Sequence, residues 1–435
     1  MIQINNTLGN PPYNGPGPGR PPIYHHITEI INKCAKPDEE FKWIVQYNWI
    51  TQLSTVGKTM RKVLLDMGVY KIEDNRFAGF TEATVRTCTI HCRTGYSGDI
   101  LFYDRTTKTG RSIDRNIFLN TEFLPIYCDK ELALINKIKK LSVNEMGFPK
   151  AWKTSTEKRK VYPLNGIAVT YFADFVNGGI GKMQVTGPHK AHPGSNRIFD
   201  DYKDLESKEH AEEILKRMQG FWNSTLVKFI LKRTLTSRTI DNPQLEYVPY
   251  VPMDREWNDE LVAEYFNLTD EEKELINKKV ETYEFTITPS KIITEEIIQQ
   301  VLLESKNKAI FRTKNRKDLN GEVFTPSELV LHMMLECKPS AWEDGKTFMD
   351  PTCGNGQILA AIVTIKKMLG HKNILNTVYG FDLMEDNVAE CKQRLLDIVG
   401  DTLANRALLE DNIQQGNALQ EDTYSKFNEE VSLFA

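Results

Sequence analysis

No apolar run in the 435 residues approaches the length of about 18 needed for a helix to cross a bilayer. The first residues also lack a basic stretch followed by a hydrophobic core, which argues against a secretory leader and leaves the cytoplasm as the expected location. Cysteine is sparse: seven residues, odd in number and scattered, fit reduced thiols better than a disulfide framework. No internal repeat is apparent and no paired acidic nuclease motif stands out, so nuclease activity is not expected. Two partial site patterns also fail. Cys88, His91 and Cys92 carry zinc-ligand atoms, but they lie in a β-branched stretch from Ala83 to Cys92 with no second ligand cluster, and they read as strand residues. Gly57-Lys58-Thr59 ends like a phosphate loop, yet Gln52 stands where that loop needs its first glycine.

What the chain does contain is organised around Asn10-Pro11-Pro12-Tyr13. At ordinary residue usage this tetrapeptide occurs by chance in about one chain of this length in a thousand. A residue before proline is pushed to extended backbone, and proline has no N–H, so the segment presents rigid outward carbonyls. The Asn10 side-chain oxygen and the Pro11 carbonyl suit the two hydrogens of one exocyclic amino group, while Tyr13 offers a ring for a heterocycle to stack on. Such a pocket fits a base taken out of its helix. The competing reading is a proline turn within the glycine-rich loop from Gly9 to Pro22.

A second informative stretch starts at Phe324-Thr325-Pro326 and continues through the strand Thr347–Asp350 into Pro351-Thr352-Cys353-Gly354-Asn355-Gly356. Gly354 and Gly356 allow backbone to approach a ligand, and the helix that follows presents unpaired N–H groups. Some 30 residues on, a strand ends at Asp382, an acid suited to a ribose diol at the carboxyl edge of a sheet. Asn417, in a third strand-like element, offers an amide to an adenine ring.

Length and hydrophobic content predict two or three domains. Alternating strands and helices over residues 1–125 read as the second half of an α/β sheet, and residues 318–435 as the first half. Between them, residues 126–317 read as an inserted region with a linker. Residues 126–240 hold 20 Lys and Arg against 12 Asp and Glu, a net of +8 inside a chain of −4, which points to a polyanion such as DNA, or else to solvated helix faces. Within that region the spacing predicts one long helix from Ser207 towards Ile230, with a break or bend at Gly220, and an extended linker over Tyr247–Pro252.

Asn10-Pro-Pro-Tyr13, Phe324-Thr-Pro326, Asp350-Pro-Thr-Cys-Gly-Asn-Gly356 and Gly380-Phe-Asp382 together resemble the signatures of amino-group DNA methyltransferases. Their order is permuted, with the catalytic loop first and the cofactor half last. The resemblance implies a Rossmann-like, doubly wound class I methyltransferase sheet built from both chain ends, with a target-recognition domain inserted. It further implies S-adenosyl-L-methionine as methyl donor and adenine in double-stranded DNA as target. Asn10, Pro11, Pro12 and Tyr13 would then be catalytic, with Phe80 as a second stacking ring. Phe324, Thr325, Pro326, Asp350, Thr352, Cys353, Gly354, Gly356, Asp382 and Asn417 would bind the cofactor. Thr352, Asn355 and Gln357 replace commoner residues of the cofactor loop. Cytosine as target, an inert DNA-binding specificity subunit, and methylation of RNA or a protein glutamine are the alternatives. A separate restriction endonuclease as partner, and a bacterial or phage origin, stay open.

Overall fold

The computed structural model describes residues 2–15, 22–34, 37, 39–51, 54–76, 86–105, 107–121, 123, 126–140, 154–155, 167–172, 175–176, 179–187, 196–202, 205–235, 245, 247–277, 287–306 and 325–427. The chain forms two compact units, one made of Met1–Glu122 with Thr282–Ala435 and the other of Phe123–Glu281.

In chain order the strands are β1 (Asn6–Gly9), β2 (Glu40–Gln46), β3 (Val69–Arg76), β4 (Thr87–Arg93), β5 (Ile100–Asp104) and β6 (Thr109–Ile113). Those of the second unit are β7 (Thr154–Ser155), β8 (Ala168–Phe172), β9 (Phe175–Val176), β10 (Gly179–Ile180), β11 (Met183–Thr186) and β12 (Asn196–Phe199). The last three are β13 (Phe348–Asp350), β14 (Val378–Asp382) and β15 (Ile413–Gln415).

The first unit is built on a nine-stranded sheet in the order β15-β14-β13-β1-β2-β4-β3-β5-β6. All strands run in one direction except β4 and β6, which are antiparallel to their neighbours. Central β1 pairs in parallel with β13 on one side and β2 on the other, so segments from opposite ends of the chain meet at the sheet's centre. Ile2 N–H also donates to the Lys426 carbonyl at 3.5 Å.

Alternation along the strands sets which residues face which layer. Leu8, Ile44 and Phe348 join one apolar cluster with Leu359, Val363 and Leu395 of the helices Gln357–Met368 and Glu385–Val399. Met349, next along β13, lies with Ile31 and Tyr424 around a small gap instead. The helix Glu295–Lys306 contributes Ile297, Ile298 and Val301 to the first cluster. That helix thus belongs to the sheet's unit, because its apolar face needs the sheet's helices as its partner.

The Thr87–Arg93 segment is a buried strand whose Cys88 and Cys92 alternate with His91. His91 Nε2 lies 3.3 Å from Glu73 Oε2, and burial pushes its pKa down to about 4. Gly57, Lys58 and Thr59 lie in the helix Thr55–Asp66, capped by Ser54 Oγ, which accepts from Gly57 N–H at 3.1 Å.

The second unit contains a four-stranded antiparallel sheet, β11-β8-β12-β7, and a β9–β10 pair. Its core gathers Tyr171, Phe199, Phe221 and Trp222. The expected long helix is two, Lys208–Trp222 and Thr225–Thr234, and the break falls at Asn223-Ser224, where Ser224 Oγ caps the second helix. Gly220 stays helical; it is needed because a Cβ there would stand 2.2 Å from the Trp257 carbonyl oxygen. The expected linker is also structural, since Val248 and Val251 are buried in the core. Several cations of the basic segment already have carboxylate partners: Arg233 makes two bonds to Glu131, at 2.8 and 2.6 Å, and Lys137 pairs with Glu272 at 2.7 Å.

Candidate active site

Strand β1 ends at Gly9, which delivers Asn10 to the carboxyl edge of the sheet where the strand order changes direction. This is the place where open α/β sheets form ligand crevices. Gly9 is required there, because a Cβ would fall 2.0 Å from the Trp43 ring. The loop then folds back: Ile23 N–H donates to the Tyr13 carbonyl at 3.2 Å, and Asn14 bridges to Pro22. Asn10 Nδ2 donates to Thr325 Oγ1 at 3.1 Å, a bond spanning 315 residues of sequence. The Tyr13 hydroxyl is buried with no hydrogen-bond partner among the described residues, and burial pushes its pKa upwards.

Two further loops complete the site. Strand β13 stops at Asp350, and Gly354 and Gly356, at φ 52° and 81°, turn the chain into the helix Gln357–Met368. Such left-handed backbone favours glycine. Asp350 is 1% exposed and accepts from Thr352 N–H at 3.1 Å. Burial pushes its pKa up to about 8, and the neighbouring Asp382 charge adds to the effect. Asp382, at the end of β14, accepts from Gly354 N–H at 2.9 Å, Met384 N–H at 2.9 Å and Asn387 Nδ2 at 3.1 Å. Asn417 holds its own turn, its Oδ1 accepting from Leu419 N–H at 3.0 Å.

One cavity of about 290 Å³ joins these loops. Asn10, Pro11, Pro12 and Tyr13 line it from one chain segment, and Thr325, Asp350, Thr352, Cys353, Gly354, Asp382 and Asn417 from the other. Gly356 and Pro326 do not line it. Gly356 packs against the helix Glu385–Val399, where a Cβ would meet Cys391 Sγ at 2.6 Å, and Pro326 caps the helix Ser327–Leu335. Phe80 and Phe324 lie outside the described residues.

Sequence reasoning did not assign Ile23, Ile27, Asn355, Leu383 and Asn387 to the site, yet all five line the cavity. Leu383 carries a signal in retrospect, being an apolar residue 59% exposed directly after the acid that ends β14. The isoleucines flank and enter the helix Tyr24–Cys34, and spacing cannot say which turn of a helix abuts a ligand.

Residues 310–431 match the family described as N-6 DNA methylase, a span that contains Thr325, the Asp350–Gly356 loop, Asp382 and Asn417. That segment belongs to the N-6 DNA methylase family. No curated protein matches the chain. Among solved structures, the chain is similar to the type IIG restriction endonuclease BpuSI, at 9% identity and TM-score 0.30 over 75% of this chain and 50% of that one. It is also similar to the type IIL restriction-modification enzyme MmeI in complex with DNA, at 9% identity and TM-score 0.29 over 97% and 57%. A type I restriction-modification system chain matches at 15% identity and TM-score 0.20 over 31% and 29%. The chain thus spans little more than half the length of the longest-covered of these. Within the N-6 DNA methylase segment the strands run β13, β14, β15 outward from the centre, and the tetrapeptide meets that segment across the β1–β13 junction. Among the described residues, no helix is long and apolar enough to cross a membrane.

Proposed function

We propose that this chain transfers the methyl group of S-adenosyl-L-methionine to the exocyclic amino group of an adenine flipped out of double-stranded DNA. The observation that carries this reading is the shared cavity, in which Asn10-Pro11-Pro12-Tyr13 faces the Asp350–Gly354 loop and Asp382.

The donor fits the residues present. Two aspartates and no Lys, Arg or His stand among the described lining residues, a balance that suits a ligand with a sulfonium and an ammonium and disfavours a polyphosphate. Tyr13 Oη and Thr352 Oγ1 are buried without partners among the described residues, and buried polar atoms ordinarily have them. Asp382 would hold the ribose hydroxyls, Asn417 the adenine of the donor, and Gly354, Thr352 and Cys353 the methionine end, with Asp350 near the amino group. When bound, the donor supplies an electrophilic methyl group on sulfur.

The rest is positioning. The Asn10 side-chain oxygen and the Pro11 carbonyl accept the two amino hydrogens of the target, which turns the nitrogen lone pair out of the base plane. Thr325, by engaging the Asn10 amide nitrogen, fixes which end of that amide accepts. Tyr13 stacks on the flipped base. Attack would break the sulfur–methyl bond and release the neutral thioether S-adenosylhomocysteine, and the methylated nitrogen, made acidic by the charge it takes on, would give its surplus proton to solvent, so no strong general base is required and alignment supplies most of the acceleration.

On this reading the two segments of the sheet unit are the halves of a methyltransferase domain in permuted order, and the unit Phe123–Glu281 reads the DNA sequence. A separate endonuclease is the matching partner. The test is transfer of label from S-adenosyl-L-methionine to duplex DNA, followed by digestion to nucleosides. N6-methyladenine in the wild type and its loss in Asn10→Ala is the expected result. Equal label in both proteins removes the proposed role of the tetrapeptide, and N4-methylcytosine in place of the adenine product removes the assigned target.

A further inference from the structure

We propose that Asn355 is an additional donor-binding residue, whose side-chain oxygen accepts a hydrogen bond from the α-ammonium group of S-adenosyl-L-methionine. The inference rests on the function proposed above and assigns a role to a residue at which the loop departs from commoner patterns.

The first observation is burial without satisfaction. Asn355 is 4% exposed, lines the cavity, and its Oδ1 has no hydrogen-bond partner among the described residues. Leaving a buried acceptor unpaired costs about 1–3 kcal/mol, so an unpaired acceptor on a residue that lines a ligand cavity is ready for a donor from the ligand.

The second is that the residue is held in place. It sits between Gly354 and Gly356, both in left-handed backbone. Gly354 N–H is bonded to Asp382, and Gly356 N–H donates to the Cys353 carbonyl at 2.8 Å while its Cα packs on Cys391. Both flanks of Asn355 are therefore anchored, which leaves rotation of its side chain as the movement that brings Oδ1 to a donor in the cavity.

The third is the chemistry of the neighbours. The same loop supplies the Asp350 carboxyl and Thr352 Oγ1, the latter also buried and unpartnered among the described residues. An ammonium carries three N–H donors and no acceptor, and this loop offers three acceptor groups. A carboxylate head group would meet the opposite, because no cationic side chain stands among the described lining residues.

The experiment is calorimetric binding of two probes to the full chain: S-adenosylhomocysteine, and its analogue lacking the α-amino group. Asn355→Leu removes the acceptor at similar size, and Asn355→Asp retains one. Asn355→Leu is expected to bind S-adenosylhomocysteine about tenfold more weakly than the wild type, the loss corresponding to one charge-assisted hydrogen bond. It is expected to bind the deaminated analogue as the wild type does, which also shows that the cavity is folded, and Asn355→Asp is expected to restore the first probe. Equal losses for both probes, or no loss for the first, overturns the assignment to Asn355 while leaving the proposed function standing. Failure of the wild type to bind either probe counts against the proposed function itself, and the assignment falls with it.

Discussion

Replacing Asp350 by Asn should make this protein more stable at alkaline pH, an unusual outcome for a change inside a candidate active site. The carboxyl is buried, its one described hydrogen bond comes from Thr352 N–H, and no cation stands among the described residues lining the cavity. Its pKa rises from 3.8 to about 8. The folded state then binds more protons than the unfolded state across that interval, so stability falls as pH rises from about 4 to about 8. The interval corresponds to a ceiling of roughly 5–6 kcal/mol, which water entering the cavity will lower. Asn keeps the shape and the acceptor for Thr352 N–H but cannot ionise. Urea denaturation of both proteins at pH 5 and pH 9 should show the variant gaining at least about 2 kcal/mol relative to the wild type on going to the higher pH. Parallel behaviour of the two proteins would show that Asp350 ionises at its ordinary pKa and that the cavity is wetter than its burial indicates. A cationic ligand favours the ionised form, so donor binding near neutral pH should also release protons from the wild type and fewer from Asp350→Asn, measurable as buffer-dependent binding enthalpy.

Other changes test the scaffold. Gly356→Ala should cost about 2–4 kcal/mol in urea denaturation, from left-handed strain together with the contact to Cys391 Sγ, and Cys391→Ala in the same chain should recover the steric part only. Arg233→Met should cost about 3–5 kcal/mol, because Glu131 would keep a buried charge without its two bonds, and the double variant with Glu131→Leu should regain most of it. A small effect of the single change would mean that Glu131 reaches water.

Much of the scaffold is legible in the sequence. Helical spacing of apolar residues marks Tyr24–Cys34 and Thr55–Asp66, because each buries an apolar stripe. The strand Phe348–Asp350 and the turn after it are legible from glycines that only a left-handed turn requires. Local pattern is a weaker guide where long-range packing decides. Gly220 has the signature of a break, yet it allows helix to pass close to Trp257, and β6 carries too few apolar residues to mark it as a strand. Gly356 has the sequence signature of a ligand contact and packs against Cys391, and a positive φ has the same signature in either case.

The tetrapeptide, the glycine turn and the acid ending β14 are determined by the sequence alone, because rigid carbonyls, left-handed turns and strand ends are local properties of a few residues. Their meeting is not local. Only the pairing of β1 with β13 brings Asn10 to Thr325 and Asp350, and that pairing depends on burying Leu8 and Phe348 under helices drawn from the other end of the chain. The raised pKa of Asp350 and the unmet acceptor of Asn355 likewise belong to the folded cavity, since both follow from the removal of water that tertiary packing alone achieves.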